Sequence, residues 1–251
     1  GEPWPGDVLE GGAGYRVGDG GEGVADPEGD IKGAEPSVDV DRMKIQLAKL
    51  RVGTGNIVGA RALVEEVLAH DQNQTEAMKM KAEWLTQEDK TDEAVALLRD
   101  ALADAPNDAQ ILTLLAQAYQ REGRPELMSD MLARAVEVSN QAPMESLRYA
   151  NWLFQQGDYL PAETVLIDAL RRQPNNPELL VLLARTHLAM KDWGRSQQDI
   201  DAIAQRFDTP EAKGAVQELR AQLLAGQGRN EDLTQFLDQQ SINSNDPVGL
   251  R

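Results

Sequence analysis

A 34-residue period runs through this chain. A small residue returns at Ala48, Ala82, Ala116, Ala150 and Ala184 without a slipped register. Three further series keep step with it: Ala60, Ala94, Met128, Ala162 and Ser196; Val64, Leu98, Leu132, Leu166 and Ile200; and Val67, Ala101, Ala135, Ala169 and Ile203. A single enzyme site would not impose such spacing. A stack of near-identical helical hairpins would, because each hairpin must meet the next with the same small and large residues. The period therefore predicts an all-α solenoid of about six antiparallel hairpins, and it points to binding.

Frames open at Asp41, Thr75, Ala109, Pro143 and Pro177, and each holds two amphipathic stretches. The spacing predicts first helices over 41–53, 75–88, 109–121, 143–156 and 177–190. Second helices are predicted over 57–70, 91–104, 125–138, 159–172 and 193–206. Start and stop residues agree with that division. Asn176 can cap a helix while Pro177 occupies its first turn, where a missing N–H costs nothing. Thr209-Pro210-Glu211 repeats the arrangement. Gly55, Gly123 and Gly157 share one slot between first and second helix, where the chain reversal favours positive φ. The solenoid is expected over 41–240 as frames 41–74, 75–108, 109–142, 143–176 and 177–210 plus a degenerate hairpin over 211–240. In that hairpin Leu224, Gly228, Leu233 and Leu237 follow the Tyr119, Gly123, Met128 and Leu132 series, displaced by three residues. Residues 241–251 read as a polar tail.

Residues 1–40 have a different character. They carry 11 of the 21 glycines and four prolines, with no apolar residues at helical spacing. Such composition raises the entropy of ordering and removes backbone donors, so a flexible leader or linker is expected there. The abrupt ends read as those of a piece of a longer protein.

The formal charge is −17, and 1–40 hold ten acidic residues against Arg16 and Lys32. Phosphate-backbone binding needs a basic patch, and the sequence offers none, so nucleic acid is not an expected partner. With no cysteine, a disulfide framework and thiolate chemistry are excluded. No apolar run approaches the roughly 18–20 residues that span a bilayer.

The repeats resemble the tetratricopeptide repeat (TPR) family. Its pattern sets a large and a small residue in the first helix, an aromatic three positions on, then Ala, a bulky residue and Ala in the second helix, with Pro at the end. Leu115, Ala116, Tyr119, Met128, Leu132 and Ala135 fit one repeat; Tyr149, Ala150, Leu153, Ala162, Leu166, Ala169 and Pro174 fit the next. The pattern's leading Trp is absent: the slot holds Lys44, Met78, Leu112, Ser146 and Leu180. Gly59-Ala60-Arg61 and Tyr159-Leu160-Pro161-Ala162-Glu163 are also similar to segments of bacterial TPR proteins of envelope and exopolysaccharide machinery. That resemblance implies a periplasmic or envelope setting. The family implies a right-handed superhelix whose first helices line a concave groove that binds a peptide or protein. By that resemblance the groove residues are Lys79, Thr113, Gln117, Gln120, Arg121, Asn151, Phe154 and Arg185. Gln117 and Asn151 each donate and accept, which suits an extended peptide backbone, and Arg121 and Arg185 could meet a carboxylate. Some relatives clamp a C-terminal carboxylate between lysines and asparagines. Lys79 fits there, but Glu83 stands where Asn is required and would repel the ligand.

Catalytic signal is close to nil, and no catalytic residue, metal ligand or cofactor is expected. His70 and His187 lie 117 residues apart, with no metal-binding spacing. His187 falls in the packing slot of Tyr119 and Leu153, and His70 near a helix C-terminus suits the helix dipole. Glu65-Glu66 and Asp199 with Asp201 read as solvated carboxylates, and Trp84, Trp152 and Trp193 as packing residues. The chain is expected to be a non-catalytic interaction scaffold. Two alternatives stay open: a recruiting or regulatory arm of an enzyme whose catalytic domain lies outside this stretch, and a repeat array that self-associates.

Overall fold

Small residues at fixed intervals let helices approach closely, and the computed structural model, which describes residues 29, 31 and 33–244, uses them that way. Twelve α-helices are present among those residues: α1 (Val38–Gly53), α2 (Ile57–His70), α3 (Thr75–Gln87), α4 (Thr91–Asp104), α5 (Ala109–Arg121), α6 (Pro125–Val138), α7 (Pro143–Gln156), α8 (Tyr159–Arg172), α9 (Pro177–Ala189), α10 (Trp193–Arg206), α11 (Pro210–Gly226) and α12 (Asn230–Ser244). No strand occurs among the described residues. The fold is an all-α repeat solenoid. It divides into two compact units, Gly1–Met131 and Leu132–Arg251. Within unit 1, α1 packs on α2 and α3 on α4; within unit 2, α7 packs on α8, α9 on α10 and α11 on α12.

Every member of the four periodic series is buried. Leu98, Leu166 and Ile200 are fully enclosed, and the alanines between helices leave no room for a larger side chain. In unit 2, Leu166 and Ala169 of α8 pack with Ala150 of α7 and with Leu179, Leu182 and Leu183 of α9. A second cluster joins Leu180 and Ala184 to Ile200, Ile203, Val216 and Leu219, tying α9 to α10 and α11.

Local signals set the helix ends. Asn176 Oδ1 accepts from the Leu179 N–H at 2.9 Å, and Thr209 Oγ1 from the Ala212 N–H at 3.2 Å. The slot between first and second helix is left-handed in five consecutive frames: Gly55, Asp89, Gly123, Gly157 and Lys191 have φ of 81°, 59°, 66°, 83° and 58°. Gly228, at φ 71°, serves the last hairpin, three residues out of phase.

Five boundaries differ from the sequence expectation. Helices α3 and α9 end one residue early, at Gln87 and Ala189. Helix α1 begins at Val38, because Ser37 Oγ accepts from the Val40 N–H and caps the helix three residues early. Helix α11 takes in Pro210 at its first position, where proline's fixed φ is already helical. The final helix runs to Ser244, past the expected 240. Most of the leader expected over 1–40, and 245–251 of the expected tail, lie outside the described residues.

Candidate partner-binding surfaces

The residues assigned to a groove, Arg121 apart, fall into three slots of the first helices, and the slots differ in access. The first slot holds Ile45, Lys79 and Thr113 in unit 1 and Leu147 and Val181 in unit 2; the unit 1 members are buried and the others half-buried. The second holds Lys49, Glu83 and Gln117, then Asn151 and Arg185, all at least partly accessible. The third holds Val52, Thr86 and Gln120, then Phe154 and Leu188. The accessible side chains thus lie in the second slot and parts of the third, while the first belongs largely to the packing.

In unit 1 this sorting removes two expected contact residues from the surface. Thr113 is buried and its hydroxyl donates to the Ala109 carbonyl at 2.9 Å. Lys79 is 5 % exposed; its ammonium donates to Asp108 Oδ2 at 3.0 Å and Gln110 Oε1 at 2.9 Å and also pairs with Glu76. Burial would lower its pKa, but the hydrogen bonds and charges of Glu76 and Asp108 outweigh burial and hold it above the usual lysine value. Lys49 reaches the same Glu76 at 2.7 Å. The exposed Arg121 donates to Asp89 Oδ1 at 2.7 Å, one repeat back. Half-buried Gln117 and exposed Gln120 complete the expected set in this unit. Glu83 is exposed by area yet crowded by surrounding protein, which raises its carboxyl above the usual range. A hollow of about 480 Å³ elsewhere on unit 1 is lined by Gln72, Asn73, Asp100 and Asp104 together with Met78 and Leu97.

Unit 2 presents a more apolar cleft. A volume of about 470 Å³ is bounded by Phe154 of α7, Arg185, Leu188 and Ala189 of α9, Trp193 of α10, and Glu218, Gln222 and Gly226 of α11. Phe154 is held by Tyr159, their rings tilted at 60° with centroids 5.4 Å apart. Trp193 closes on Gly226: a Cβ added there would stand 2.7 Å from the ring's Cη2 and 2.8 Å from Cζ3. Glycine there is a requirement of close approach. Arg185 Nη2 donates to both oxygens of Glu218, at 3.2 and 3.3 Å, and Gln222 Nε2 donates to Glu218 Oε1 at 2.9 Å. An apolar floor with one fixed ion pair is suited to an apolar side chain carried on a hydrogen-bonding backbone. Asn151, half-buried, stands one turn before Phe154 on α7 and outside the cleft lining.

Several side chains differ from the sequence reading. Asp199 is not solvated: its Oδ2 lies 2.5 Å from His187 Nδ1, while Asp201 accepts from Arg220. His70 Nδ1 lies 2.5 Å from Oδ2 of the buried Asp41, 29 residues away, a partner no local pattern announces. Glu65 and Glu66 diverge to separate lysines, Lys81 and Lys44. Trp84 is core with the Arg61 guanidinium 5.2 Å above its ring, and Trp152 stacks on Tyr149. Trp193, by contrast, lines the cleft; the one sequence signal for this is that its helix opens directly after a left-handed turn.

No described helix is long and apolar enough to cross a membrane. The tetratricopeptide repeat family model matches residues 85–148 and 153–223. A TPR repeat-containing protein of Bacillus subtilis strain 168, YpiA, is 27% identical over 122 residues, covering 49% of this chain and 29% of its own length. Among solved structures, PilW, described as a widely conserved type IV pilus biogenesis factor, superposes with a TM-score of 0.62 at 21% identity, covering 84% of this chain and 97% of its own. PilF of Pseudomonas aeruginosa gives 0.61 at 18% identity, covering 82% and 93%.

Proposed function

Since the chain belongs to the tetratricopeptide repeat family, we propose that it is a non-catalytic scaffold whose unit 2 cleft takes an apolar side chain from an extended partner segment. The family fold is a protein–protein interaction scaffold; the observation that carries the finer reading is the Trp193 ring seated on Gly226 opposite Phe154 and Leu188. Half-buried aromatic and aliphatic groups beside a fixed ion pair are the composition of a binding hot spot. Arg185, already bound by Glu218, orients a peptide backbone or exchanges partners with a ligand carboxylate. In unit 1, Gln117 and Gln120 remain as groove contacts, and in unit 2 Asn151 does. Envelope assembly is the proposed setting, supported by the sequence segments around Ala60 and Ala162.

Panning random displayed peptides on the full chain tests the cleft. Recovered ligands should share an aromatic or aliphatic anchor, and Phe154→Ala and Gly226→Ala should each weaken them roughly tenfold or more, as truncation of a hot spot does. Arg121→Ala, on unit 1, should leave that affinity unchanged. Equal binding by both cleft variants would remove the cleft from the reading. Co-fractionation of the native protein with cytosolic markers would remove the envelope setting.

A further inference from the structure

His187 is 3 % exposed on α9, and both of its ring nitrogens face carboxylates. Nδ1 lies 2.5 Å from Asp199 Oδ2 on α10, and Nε2 lies 3.2 Å from Glu163 Oε1 on α8. Ionised carboxylates only accept hydrogen bonds, whereas a neutral imidazole carries one N–H. A neutral ring would therefore press a lone pair against one of the two carboxylates. An imidazolium donates to both.

Charge balance points the same way. Arg195 of α10 pairs with Glu163, and its Nε donates to Asp192 Oδ2 at 2.7 Å in the α9–α10 turn. The cluster thus holds three carboxylates, Glu163, Asp192 and Asp199, against one guanidinium. Helices α7 and α11 also pack on α9, and their nearby charged groups are matched among themselves or with neighbours: Arg148 with Glu145, Glu218 with Arg185, Arg220 with Asp201. The imidazolium is the cation left to offset the excess.

From this geometry we infer that a proton on His187 fastens α8 to α10 across α9, so that the packing of this part of unit 2 loosens as the pH rises. The inference stands apart from the cleft reading, although the clamp also holds the Asp192 turn from which Trp193 starts. Burial opposes the charge, but the hydrogen bond and charge of Asp199, then Glu163, outweigh burial and Arg195 and keep the ring's pKa above the ordinary histidine value. The folded state therefore binds this proton more tightly than the unfolded one. The stabilisation is complete below the unfolded-state pKa and disappears as pH rises through the folded one.

Long-range proton–nitrogen spectra of the ¹⁵N-labelled full chain test this, with His70→Gln used to assign the two rings. The ring should titrate above a histidine peptide measured alongside, and at the peptide's midpoint pH most His187 rings should carry protons on both nitrogens. Asp199→Asn should lower that midpoint most, and Glu163→Gln less. Protection of the Asp192 and Ser196 amides, which donate to the His187 and Asp192 carbonyls at 2.9 and 3.0 Å, should fall through the same midpoint. In His187→Gln that protection should show no such step. A single neutral tautomer at the peptide's midpoint pH, a midpoint at or below the peptide's, or an amide step that survives in His187→Gln would each overturn the inference. The wild-type titration, once the rings are assigned, decides the first two, so the test does not depend on the His187, Asp199 and Glu163 variants folding.

Discussion

Unit 1 and unit 2 repeat the same slots and put them to different use. In unit 1 the first-helix cations reach neighbouring repeats: Lys49 to Glu76, Lys79 to Asp108 and Gln110, and Arg121 back to Asp89. In unit 2 Arg185 does the same toward Glu218, but Phe154, Leu188 and Trp193 leave an apolar cleft beside it. Pairs separated by 27 to 33 residues recur because one repeat of chain returns a side chain to the neighbouring helix at nearly the same height. A cation in such a slot is therefore a staple between repeats before it is a ligand contact. The accessible features of the surface are then the amides of unit 1 and the apolar floor of unit 2.

The largest expected effect asks whether the frame itself differs between the units. Leu98 and Leu166 hold one slot, two periods apart, and both are fully buried. Leu98→Ala and Leu166→Ala should each destabilise by about 2–5 kcal/mol, the range for truncating an enclosed leucine. Urea denaturation, with amide exchange to locate the loss, measures both. The same truncation at Leu237, which is 51% exposed on α12, should cost within about 0.5 kcal/mol. If Leu98→Ala and Leu166→Ala differed by as much as Leu166→Ala and Leu237→Ala, the shared frame would be the wrong description of these units.

Packing was legible in the sequence because it obeys the period. Ala150 and Leu166 are constrained by neighbours built from the same repeat, so the spacing names them as core and the structure buries them. Pairing was less legible. Thr113 and Lys79 share a slot with Ile45, Leu147 and Val181, and those three apolar residues were the available sign that the slot faces inward. Lys79 takes its place in the expected groove from the family resemblance, and its burial follows from the packing of the slot. The partnership of His187 with Glu163 and Asp199 had no sequence signal, since each carboxylate follows from where one helix turn happens to face another. Trp193 at Gly226 likewise depends on a close approach between α10 and α11 that no local pattern announces.

A smaller effect separates buried staples from exposed ones. Lys79→Ala removes an ammonium with three acceptors and a buried stem, and should cost about 1–3 kcal/mol. Arg121→Ala breaks an exposed pair with Asp89 and should cost about 0.2–1 kcal/mol, less at high salt. Denaturation of the two variants at low and high ionic strength measures the contrast. Matching losses would mean that burial does not distinguish the first slot from the surface.

The smallest effect concerns the left-handed turn within unit 2, where one slot holds Gly157 at φ 83° and Lys191 at φ 58°. An L side chain in that region costs roughly 1–2 kcal/mol through the contact between Cβ and the following carbonyl. Gly157→Ala should therefore destabilise by about 1 kcal/mol, although nothing lies within 4 Å of the added Cβ. Lys191→Gly relieves the same strain, but glycine widens the unfolded ensemble, so the net gain should be about 0.5 kcal/mol. Lys191 is exposed, so the substitution removes no packing. Asp89 occupies the corresponding turn of unit 1, yet Asp89→Gly would also delete the acceptor for Arg121, and aspartate tolerates the left-handed region better than lysine. Its gain should be nearer zero. Thermal unfolding of the three variants orders them, and a Lys191→Gly chain less stable than its parent would show that the lysine has a role in the turn beyond filling the slot.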